Sequence, residues 1–388
     1  MKIVIVGNGI ASYNAALNIL RTVDDCTIEV FSDESFSPYY RTRVLSLLSD
    51  AADEKDLAIK PEITDERYKL VRKHVNCIDP DNKLVYSDDG EAYEYDVLVL
   101  ANGASALSLA LPGGKSKGIF TVRTVDDVYS LRAWLKDHCE NTVVIGGGLL
   151  GIEAAYEIHC HTGKTVTVIE TFPYLLPRQL DRDSAVYLQK RLESMGLSIL
   201  CGVRTSNFLY DHDECVSGVK CDDGFSIPAS TIVESVGIRS NTFLAVDAGL
   251  KVSRGVVVDD YLMTSVEDIY AIGDVAETDG RVTGQVSAAL DMAKVLASNI
   301  AGKKTAYRIA SPSSMLKVAG LDVVSLGNVS TAGCDVIVRE GDDTRCSYFI
   351  RDGLLSGAVL IGTRAQFATV KANLNKELTA EVKAKLAL

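Results

Sequence analysis

The sequence predicts an α/β protein with two doubly wound parallel-sheet domains, the first split by insertion of the second, and a small C-terminal α+β domain. Three observations support this prediction. A β-branched run, a glycine-rich turn and a helical segment occur in that order twice, with the turns at Gly7 and Gly146. The strand that would complete the first sheet comes only near residue 270. Beyond residue 303, short alternating strands replace the earlier pattern.

Each repeat has the order strand, helix, strand that a parallel sheet with crossover helices requires. The strands are short β-branched runs without polar alternation, which is typical of strands buried on both faces. The helical segments contain alanine and leucine. The predicted elements are strand 2–6, helix Ser12–Leu20 and strand Thr27–Phe31 in the first repeat, and strand 142–145, helix Leu149–His159 and strand Thr165–Ile169 in the second.

The rest of the chain supplies further strands and helices. Between the repeats, a buried run at Tyr95–Ala104 ends in a glycine turn. After the second repeat we expect helix Asp183–Gly196, strands Thr231–Gly237 and Ser265–Asp274, and helix Gln285–Ala301, closed by Gly302. The C-terminal part has expected strands at 315–319, 322–326, 334–338, 345–350 and 354–361, and one or two helices over 364–387. The predicted domains are 1–112 with 241–302, then 113–240, then 303–388.

Composition and charge exclude several classes of function. The net charge of −12 disfavours nucleic acid as a partner. No run of about 18 uncharged apolar residues is present, and the N-terminus lacks the apolar core of a signal peptide, so we expect a cytoplasmic protein without a membrane span. Residues 303–388 contain twelve Lys and Arg against eight Asp and Glu, a net charge of +4 on a body of −16. This block indicates either a docking surface for an acidic partner or ordinary scatter of surface charge.

The first glycine-rich turn reads Gly7-Asn-Gly9-Ile-Ala-Ser12. It fits the dinucleotide-binding pattern G-x-G-x-x-G except at the third position, where Ser12 is small enough for close packing of helix on strand. The start of the following helix offers N–H groups to a pyrophosphate. Asp33 or Glu34, about 20 residues further on, would accept hydrogen bonds from a ribose, and we favour Glu34.

The second turn, Gly146-Gly-Gly148-Leu149-Leu-Gly151, matches the same pattern completely. Glu170 ends the next strand, where a carboxylate binds a free ribose 2′-hydroxyl and repels a 2′-phosphate. The next three residues include no arginine, although Arg178 could fold back towards the site. The sequence therefore favours NADH over NADPH.

Two dinucleotide sites in one chain indicate two dinucleotides, commonly one tightly held flavin and one exchangeable nicotinamide cofactor. The late strand brings Gly273-Asp274 to the end of the first sheet, beside a helix start. We expect Asp274 to bond the ribityl or phosphate-side hydroxyls of the flavin.

Several longer segments now point to one family. They are Val-Gly-Asn-Gly at 6–9, Ser-Pro-Tyr-Tyr-Arg-Thr-Arg at 37–43, Tyr-Asp-Val-Leu-Val-Leu-Ala-Asn-Gly-Ala at 95–104, Gly-Gly-Gly-Leu-Leu-Gly-Ile-Glu at 146–153, Arg-Gln-Leu-Asp-Arg-Asp at 178–183, Val-Gly-Ile-Arg-Ser-Asn at 236–241 and Ile-Tyr-Ala-Ile-Gly-Asp-Val-Ala-Glu at 269–277. Together they resemble the FAD-dependent pyridine nucleotide–disulfide oxidoreductase superfamily. Within it the chain is most similar to the NAD(P)H:rubredoxin oxidoreductases, a likeness that Leu-Lys-Val-Ala-Gly at 316–320 extends into the C-terminal domain.

The resemblance covers essentially the whole chain and implies a split Rossmann-like FAD domain, an inserted Rossmann-like NAD domain and a C-terminal interface-type domain. The chain departs from the family pattern at Asn102, where threonine is usual, and at Ser240, where proline is usual. The residues implied around FAD are Gly7, Gly9, Ser12, Asp33, Glu34, Arg41, Ala101, Gly103, Gly273 and Asp274. Those implied around NADH are Gly146, Gly148, Leu149, Gly151, Glu153, Glu170 and Gly237, with Glu153 close to the nicotinamide.

Many members of this superfamily pass electrons from flavin to cysteines in the helix after the Pro-Tyr segment. The corresponding residues here, 38–49, include no cysteine, and the nine cysteines elsewhere form no C-x-x-C pair. We therefore expect no disulfide framework and direct transfer out of the flavin. The residues His159-Cys160-His161 are candidate metal ligands by type. However, residues i and i+2 on a helix do not face each other, so no metal is expected.

The resemblance thus implies an NADH-dependent flavoprotein reductase that passes electrons to an external one-electron carrier, rubredoxin-like, without a redox cysteine. Candidates beside the flavin edge are the cations Arg41, Arg43 and Lys317. No catalytic residue is certain, and Arg43, Lys317 and Glu153 are the candidates, with Glu153 close to the nicotinamide. The family places the helix Gln285–Met292 over the flavin. Two alternatives stay open: a cysteine-independent NADH oxidase or reductase acting on oxygen, peroxide or quinone, and a flavin-dependent redox-sensing interaction protein. A monomer and a homodimer are both compatible with the sequence.

Overall fold

The computed structural model describes residues 1–49, 51–309 and 313–386. The chain divides into two compact units. The first unit contains Met1–Val44, Asp53–Ala106 and Gly237–Ala310, and the second unit contains Leu45–Ala52, Leu107–Val236 and Ser311–Leu388.

The first unit starts with a strand, a crossover helix and a second strand, as the repeat pattern predicts. The segment after the Pro-Tyr motif forms a 3-10 helix, Arg41–Leu48, which extends into the second unit. The elements up to residue 106 are β1 (Lys2–Val6), α1 (Ile10–Thr22), β2 (Thr27–Phe31), α2 (Glu54–Leu57), β3 (Tyr68–Val71), β4 (Val75–Asp79), β5 (Leu84–Ser87), β6 (Ala92–Glu94), β7 (Val97–Leu100) and β8 (Ala104–Ala106).

The inserted part of the second unit repeats the strand–helix–strand arrangement. Its elements are β9 (Ile119–Thr121), α3 (Val125–Leu135), β10 (Thr142–Ile145), α4 (Leu149–Thr162), β11 (Val166–Glu170), α5 (Arg182–Ser194), β12 (Leu197–Cys201), β13 (Thr205–Tyr210), β14 (Val216–Cys221), β15 (Ser226–Pro228) and β16 (Thr231–Glu234).

The chain then returns to the first unit and ends in the second. The returning elements are β17 (Ile238–Ser240), α6 (Phe243–Asp247), β18 (Val256–Val257), β19 (Ile269–Ala271), a 3-10 turn (Gly273–Val275), β20 (Ala276–Glu277) and α7 (Val286–Ile300). The C-terminal elements are β21 (Ser313–Val318), β22 (Leu321–Gly327), β23 (Asp335–Glu340), β24 (Arg345–Arg351), β25 (Leu354–Ile361), α8 (Phe367–Asn373) and α9 (Ala380–Lys385).

Two parallel sheets confirm the predicted α/β class. The sheet of the first unit has the order β19-β7-β1-β2-β3, and that of the second unit has the order β12-β11-β10-β16-β9. The late strand β19 pairs with β7, so it completes the first sheet as predicted. The glycine-rich turns follow interior strands, β1 and β10, whose residues Ile3–Val6 and Thr142–Ile145 are buried. Ligands of doubly wound sheets bind at this carboxyl edge.

The C-terminal strands form a separate antiparallel sheet in the order β21-β22-β25-β24-β23. Its core includes the fully buried side chains of Val324, Tyr348 and Leu360, against which α8 contributes Val370. The five predicted strands are therefore present. Among the described residues, no helix combines the length and apolarity needed to cross a membrane.

Candidate functional site

The first glycine-rich turn has the backbone that a dinucleotide loop needs. Gly7 has a φ of +103°, and a Cβ there would lie 2.4 Å from the carbonyl oxygen of Ala101, so no larger residue fits. Gly9 caps the start of α1, and a Cβ there would meet no described atom within 4 Å. The space before the helix N-terminus is therefore open to a phosphate group.

Buried polar side chains without partners surround this turn. Both amide atoms of Asn8 and the hydroxyl of Ser12, whose residue is 0% exposed, have no hydrogen-bond partner among the described residues. The side-chain oxygen of Asn102 is also buried and unpartnered. An unpaired buried donor costs free energy, which a bound pyrophosphate would offset by supplying oxygen acceptors. The donor set of this turn therefore fits the diphosphate of FAD.

The two candidate ribose carboxylates have different surroundings. Glu34 accepts a 2.6 Å hydrogen bond from the Tyr39 hydroxyl and pairs with the guanidinium of Arg41. Arg41 also donates to the Tyr39 hydroxyl at 2.9 Å. Asp33 is largely exposed and lies 3.1 Å from Nδ1 of His74. The structure thus joins Glu34 to Arg41, and the charge of Arg41 is balanced by a carboxylate.

Both residues at which the chain departs from the family pattern make hydrogen bonds beside a two-stranded ribbon of β8 and β17. The Asn102 amide donates to the Asn241 carbonyl at 2.9 Å, and the Asn241 amide donates to the Asn102 carbonyl at 2.8 Å. The Ser240 hydroxyl donates to the carbonyl oxygen of Asp274 at 2.7 Å. Both substituted residues therefore tie the ribbon together or to the turn that bears Asp274.

The remaining residues predicted for FAD lie at the ends of β7 and β19. Ala101 is buried and donates its N–H to Val6 at 2.8 Å, and Gly103 has a φ of +65°. Gly273 has a φ of +73°, and a Cβ there would lie 2.9 Å from that of Ala11. The two strand ends therefore reach the same edge of the sheet as the first glycine-rich turn.

The second glycine-rich turn is packed as tightly as the pattern requires. A Cβ at Gly146, whose φ is +116°, would lie 2.2 Å from the carbonyl oxygen of Ser235. A Cβ at Gly151 would lie 2.0 Å from the Gly146 carbonyl oxygen, so only glycine lets α4 approach β10. Gly148 caps α4 and a Cβ there would meet no described atom within 4 Å. Leu149 is the first residue of α4.

Glu170 is held against this turn. One carboxylate oxygen accepts the Gly147 N–H at 2.7 Å and the other accepts the Phe172 N–H at 2.8 Å. The residue is 8% exposed, so it is a buried carboxylate at the carboxyl end of β11. Arg178 lies in the exposed part of the following loop. This arrangement fits a ribose with two free hydroxyls.

Three residues at the two glycine-rich turns carry no signal in the sequence. Leu176 has a φ of +50°, which is rare for leucine, and its N–H donates to the Gly147 carbonyl at 3.1 Å. The pattern G-x-G-x-x-G accepts any residue at Asn8 and at Gly147, so it does not single them out. Only the folded chain brings residues 171–180 back onto the turn.

Glu153 lies on α4, one turn after the glycines, and is half-buried. Burial raises its pKa to about 7, and the neighbouring Glu157 carboxylate, one helical turn on, adds to the rise. Burial also raises the pKa of Glu157. This face of α4 therefore holds two carboxyl groups that take up protons more readily than surface glutamates.

The other predicted residues fall in both units. Arg43 is exposed and belongs to the first unit, as does Gly237, whose φ is +118°. Lys317 is exposed on β21 in the second unit. Among the described residues, no group of three His, Cys, Asp or Glu could hold a metal ion. All nine cysteines are free.

The fold and the two turns define a class: a protein with two dinucleotide-binding units of the Rossmann kind. Comparison with family models then places the chain. The model described as pyridine nucleotide-disulphide oxidoreductase matches residues 1–293, and the model described as rubredoxin NAD+ reductase C-terminal domain matches residues 312–378. The chain belongs to the pyridine nucleotide-disulphide oxidoreductase family, which uses FAD and pyridine nucleotides.

Curated relatives and solved structures agree with this placement. A nitrite reductase [NAD(P)H] of Bacillus subtilis is 33% identical over 97% of this chain and 47% of its own length. An NADH-rubredoxin oxidoreductase of Clostridium acetobutylicum is 31% identical over 93% of this chain and 91% of its own length. The crystal structure of a ferredoxin reductase from Rhodopseudomonas palustris, 28% identical, superposes with a TM-score of 0.88 over 98% of this chain and 96% of its own. The chain spans about half the length of the nitrite reductase that it matches.

Proposed function

We propose that this chain is an NADH-dependent flavoprotein reductase that passes electrons to a small one-electron carrier, rubredoxin-like. The observation that carries the proposal is the pairing of two different nucleotide loops in one chain. The first has buried donors without partners at Asn8 and Ser12, and the second has a buried ribose-type carboxylate at Glu170. FAD, when bound, supplies the conversion between the electron pair of NADH and single electrons.

The first unit would hold FAD. Gly7 and Gly9 leave room for the diphosphate, and Asn8 and Ser12 would donate to it. A ribose of FAD would bond Glu34 or Asp33, with Arg41 orienting Glu34 through their ion pair. Asp274, Gly273, Ala101 and Gly103 would line the remaining part of the cofactor. Arg43, in the same unit, stays a candidate for the flavin edge.

The second unit would hold NADH in preference to NADPH. Both oxygens of Glu170 are fixed by backbone N–H groups. The negative charge of this carboxylate would therefore repel the 2′-phosphate of NADPH. Residues 171–177 include no Lys or Arg to neutralise that phosphate. Leu149 and Glu153, both on α4, would lie along the nicotinamide half of the cofactor.

Electrons would leave the flavin without a thiol relay. The 3-10 helix Arg41–Leu48 contains no cysteine. The cysteines that flank this segment in the chain are Cys26 and Cys77, and burial raises the pKa of both thiols, which keeps them protonated near neutral pH. These observations support direct transfer from the flavin to an external acceptor.

A second class of acceptor has support from the nitrite reductase relative. Nearly the whole of this chain, 97%, aligns with 47% of that protein. We infer that this chain can also pass electrons to a nitrite-reducing partner. The match of residues 312–378 to the rubredoxin NAD+ reductase domain favours the small carrier.

Stopped-flow spectroscopy tests the proposal. The flavin-loaded protein is mixed with NADH or NADPH while the flavin absorbance is followed, and the reduced protein is then mixed with rubredoxin, ferredoxin, oxygen or a nitrite reductase. We expect fast bleaching with NADH and fast reoxidation by rubredoxin. A protein that binds no FAD, or that oxygen reoxidises as fast as rubredoxin does, contradicts the proposal. Alkylation of the exposed Cys160 thiol should leave both phases unchanged.

A further inference from the structure

The loop after β11 presents a large aromatic ring beside the ribose-type carboxylate of the second unit. Phe172 is 58% exposed, although exposing a phenylalanine ring to water is unfavourable. It lies two residues after Glu170, so their Cα atoms are at most about 7 Å apart. The sequence pattern assigns no role to this position.

The backbone of Phe172 is fixed on both sides. Its N–H donates to Glu170 at 2.8 Å, and its carbonyl accepts the Gly202 N–H at 2.8 Å. The backbone that carries the ring is therefore held in place, so binding of a ligand over the ring would require little ordering of this part of the loop. Gly202, with a φ of +75°, leaves open space beside it, since a Cβ there would meet no described atom within 4 Å.

We propose that Phe172 is the stacking platform for the adenine ring of NADH. This inference rests on the proposed function, because it takes Glu170 as the ligand of the adenosine ribose. The adenine is attached to that same ribose, so a purine ring would lie next to the carboxylate, over the exposed face of Phe172. Stacking of a base on an aromatic side chain tolerates any orientation of the ring edge, so it adds affinity without reading the 2′ position. Phe172 thus binds the base, and Glu170 selects the ribose.

The test uses the flavin-loaded protein and four chains: wild type, F172A, F172Y and F225A. Phe225 is the matched control, because it is 59% exposed and lies in the turn between β14 and β15 of the same unit. Titration calorimetry with ADP-ribose measures the adenosine half alone. Stopped-flow reduction compares NADH with reduced nicotinamide mononucleotide, which lacks adenosine.

We expect F172A to weaken ADP-ribose binding by about fivefold to a hundredfold, the range of one aromatic–base stack, and F172Y to stay within about twofold of wild type. The apparent affinity for NADH should fall in parallel, while reduction by the mononucleotide is unchanged. F225A should match wild type in every assay. Equal ADP-ribose affinity in F172A and wild type overturns the proposal, as does an equal loss with NADH and the mononucleotide.

The result separates this inference from the proposed function. ADP-ribose binding that depends on Phe172, in a protein whose flavin NADH does not reduce, upholds the platform and overturns the reductase. Rapid reduction of the flavin by NADH, together with ADP-ribose binding that does not depend on Phe172, upholds the reductase and overturns the stacking platform. F172Y also guards against a folding defect, because it keeps the ring while changing the same position.

Discussion

At the residue scale, the glycines of the second turn have two distinct reasons to be glycine. Gly151 is required by the protein itself, because a Cβ there would lie 2.0 Å from the Gly146 carbonyl oxygen. Gly148 has an ordinary extended backbone, with a φ of −78°, and open space around it. We therefore propose that a bound dinucleotide requires glycine here, since a methyl group would occupy the space before the helix N-terminus.

This difference predicts opposite outcomes for two alanine variants. We expect G148A to lose at most about 1 kcal/mol of unfolding free energy, the cost of a poorer helix cap, yet to bind NADH at least about tenfold more weakly. We expect G151A to lose about 2–3 kcal/mol as well as NADH binding. Denaturant unfolding and NADH titration of the flavin-loaded proteins measure both quantities. Similar stabilities for the two variants would contradict the distinction.

Glu153 predicts a pH dependence of stability. Its pKa in the folded protein is about 7, against an ordinary value of 4.5, because burial disfavours the charged form. The folded state therefore holds the proton more tightly, so this contribution to stability is full below about pH 4.5 and is lost as the pH rises through about 7. Because the glutamine of E153Q does not ionise, the stability of this variant does not fall through this titration.

We therefore expect the Tm of E153Q, measured relative to the Tm of wild type, to increase as the pH is raised from about 5 to about 8. Thermal unfolding of the flavin-loaded proteins without NADH measures the difference. E267Q, which removes an exposed carboxylate from the first unit, is the control for the loss of a surface charge. A difference that stays constant with pH would count against the raised pKa.

At the scale of elements, the short ribbon of β8 and β17 depends on side chains as much as on its backbone. Asn241 donates to the Asn102 carbonyl at 2.8 Å and accepts from the Ser105 hydroxyl at 2.7 Å. Three-residue strands make few ladder bonds, so these side-chain bonds are a large share of what holds the ribbon.

We expect N241A to lower the free energy of unfolding by about 1–3 kcal/mol, since it removes both side-chain bonds of Asn241 and leaves the part-buried Asn102 carbonyl without that donor. N102T keeps the Asn102 carbonyl that accepts from Asn241 and should cost about 1 kcal/mol. S105A, which removes only the exposed bond, should cost about 0.5 kcal/mol or less. Denaturant unfolding orders the three variants, and a cost for S105A equal to that of N241A would refute the assignment.

At the scale of the whole molecule, charge is distributed unevenly along an acidic chain. Residues 303–388 have a net charge of +4 against −16 for the remainder. Lys303 and Lys304 are exposed and belong to the first unit, although they begin the block that the sequence assigns to the C-terminal domain. The division into three domains remains a prediction, as does the role of these lysines in docking.

If the lysines guide an acidic carrier, K303A/K304A should slow carrier reduction at low salt by about threefold to tenfold and leave ferricyanide reduction intact. The defect should shrink as ionic strength rises. K136Q, a single exposed charge removed from the second unit, is the control. Equal slowing with both acceptors would remove the docking role.

Local pattern alone predicted much of this protein. Strands β1 and β10 follow from β-branched runs, and the turns at Gly7 and Gly146 follow from glycine spacing, because strand burial and positive φ are properties of a few adjacent residues. The same spacing indicated Glu170 as a ribose carboxylate; the structure shows this carboxylate buried against the turn, and its role towards a ribose stays a prediction.

Tertiary structure alone decided how distant residues meet. The reciprocal bonds of Asn102 and Asn241, the return of Leu176 onto Gly147 and the rigid support of Phe172 by Gly202 join atoms far apart in the chain. No local period encodes such contacts, because each depends on where a neighbouring strand or loop ends in space. The sequence by itself determined the chemistry that each segment can offer, and folding determined which of those groups share a site.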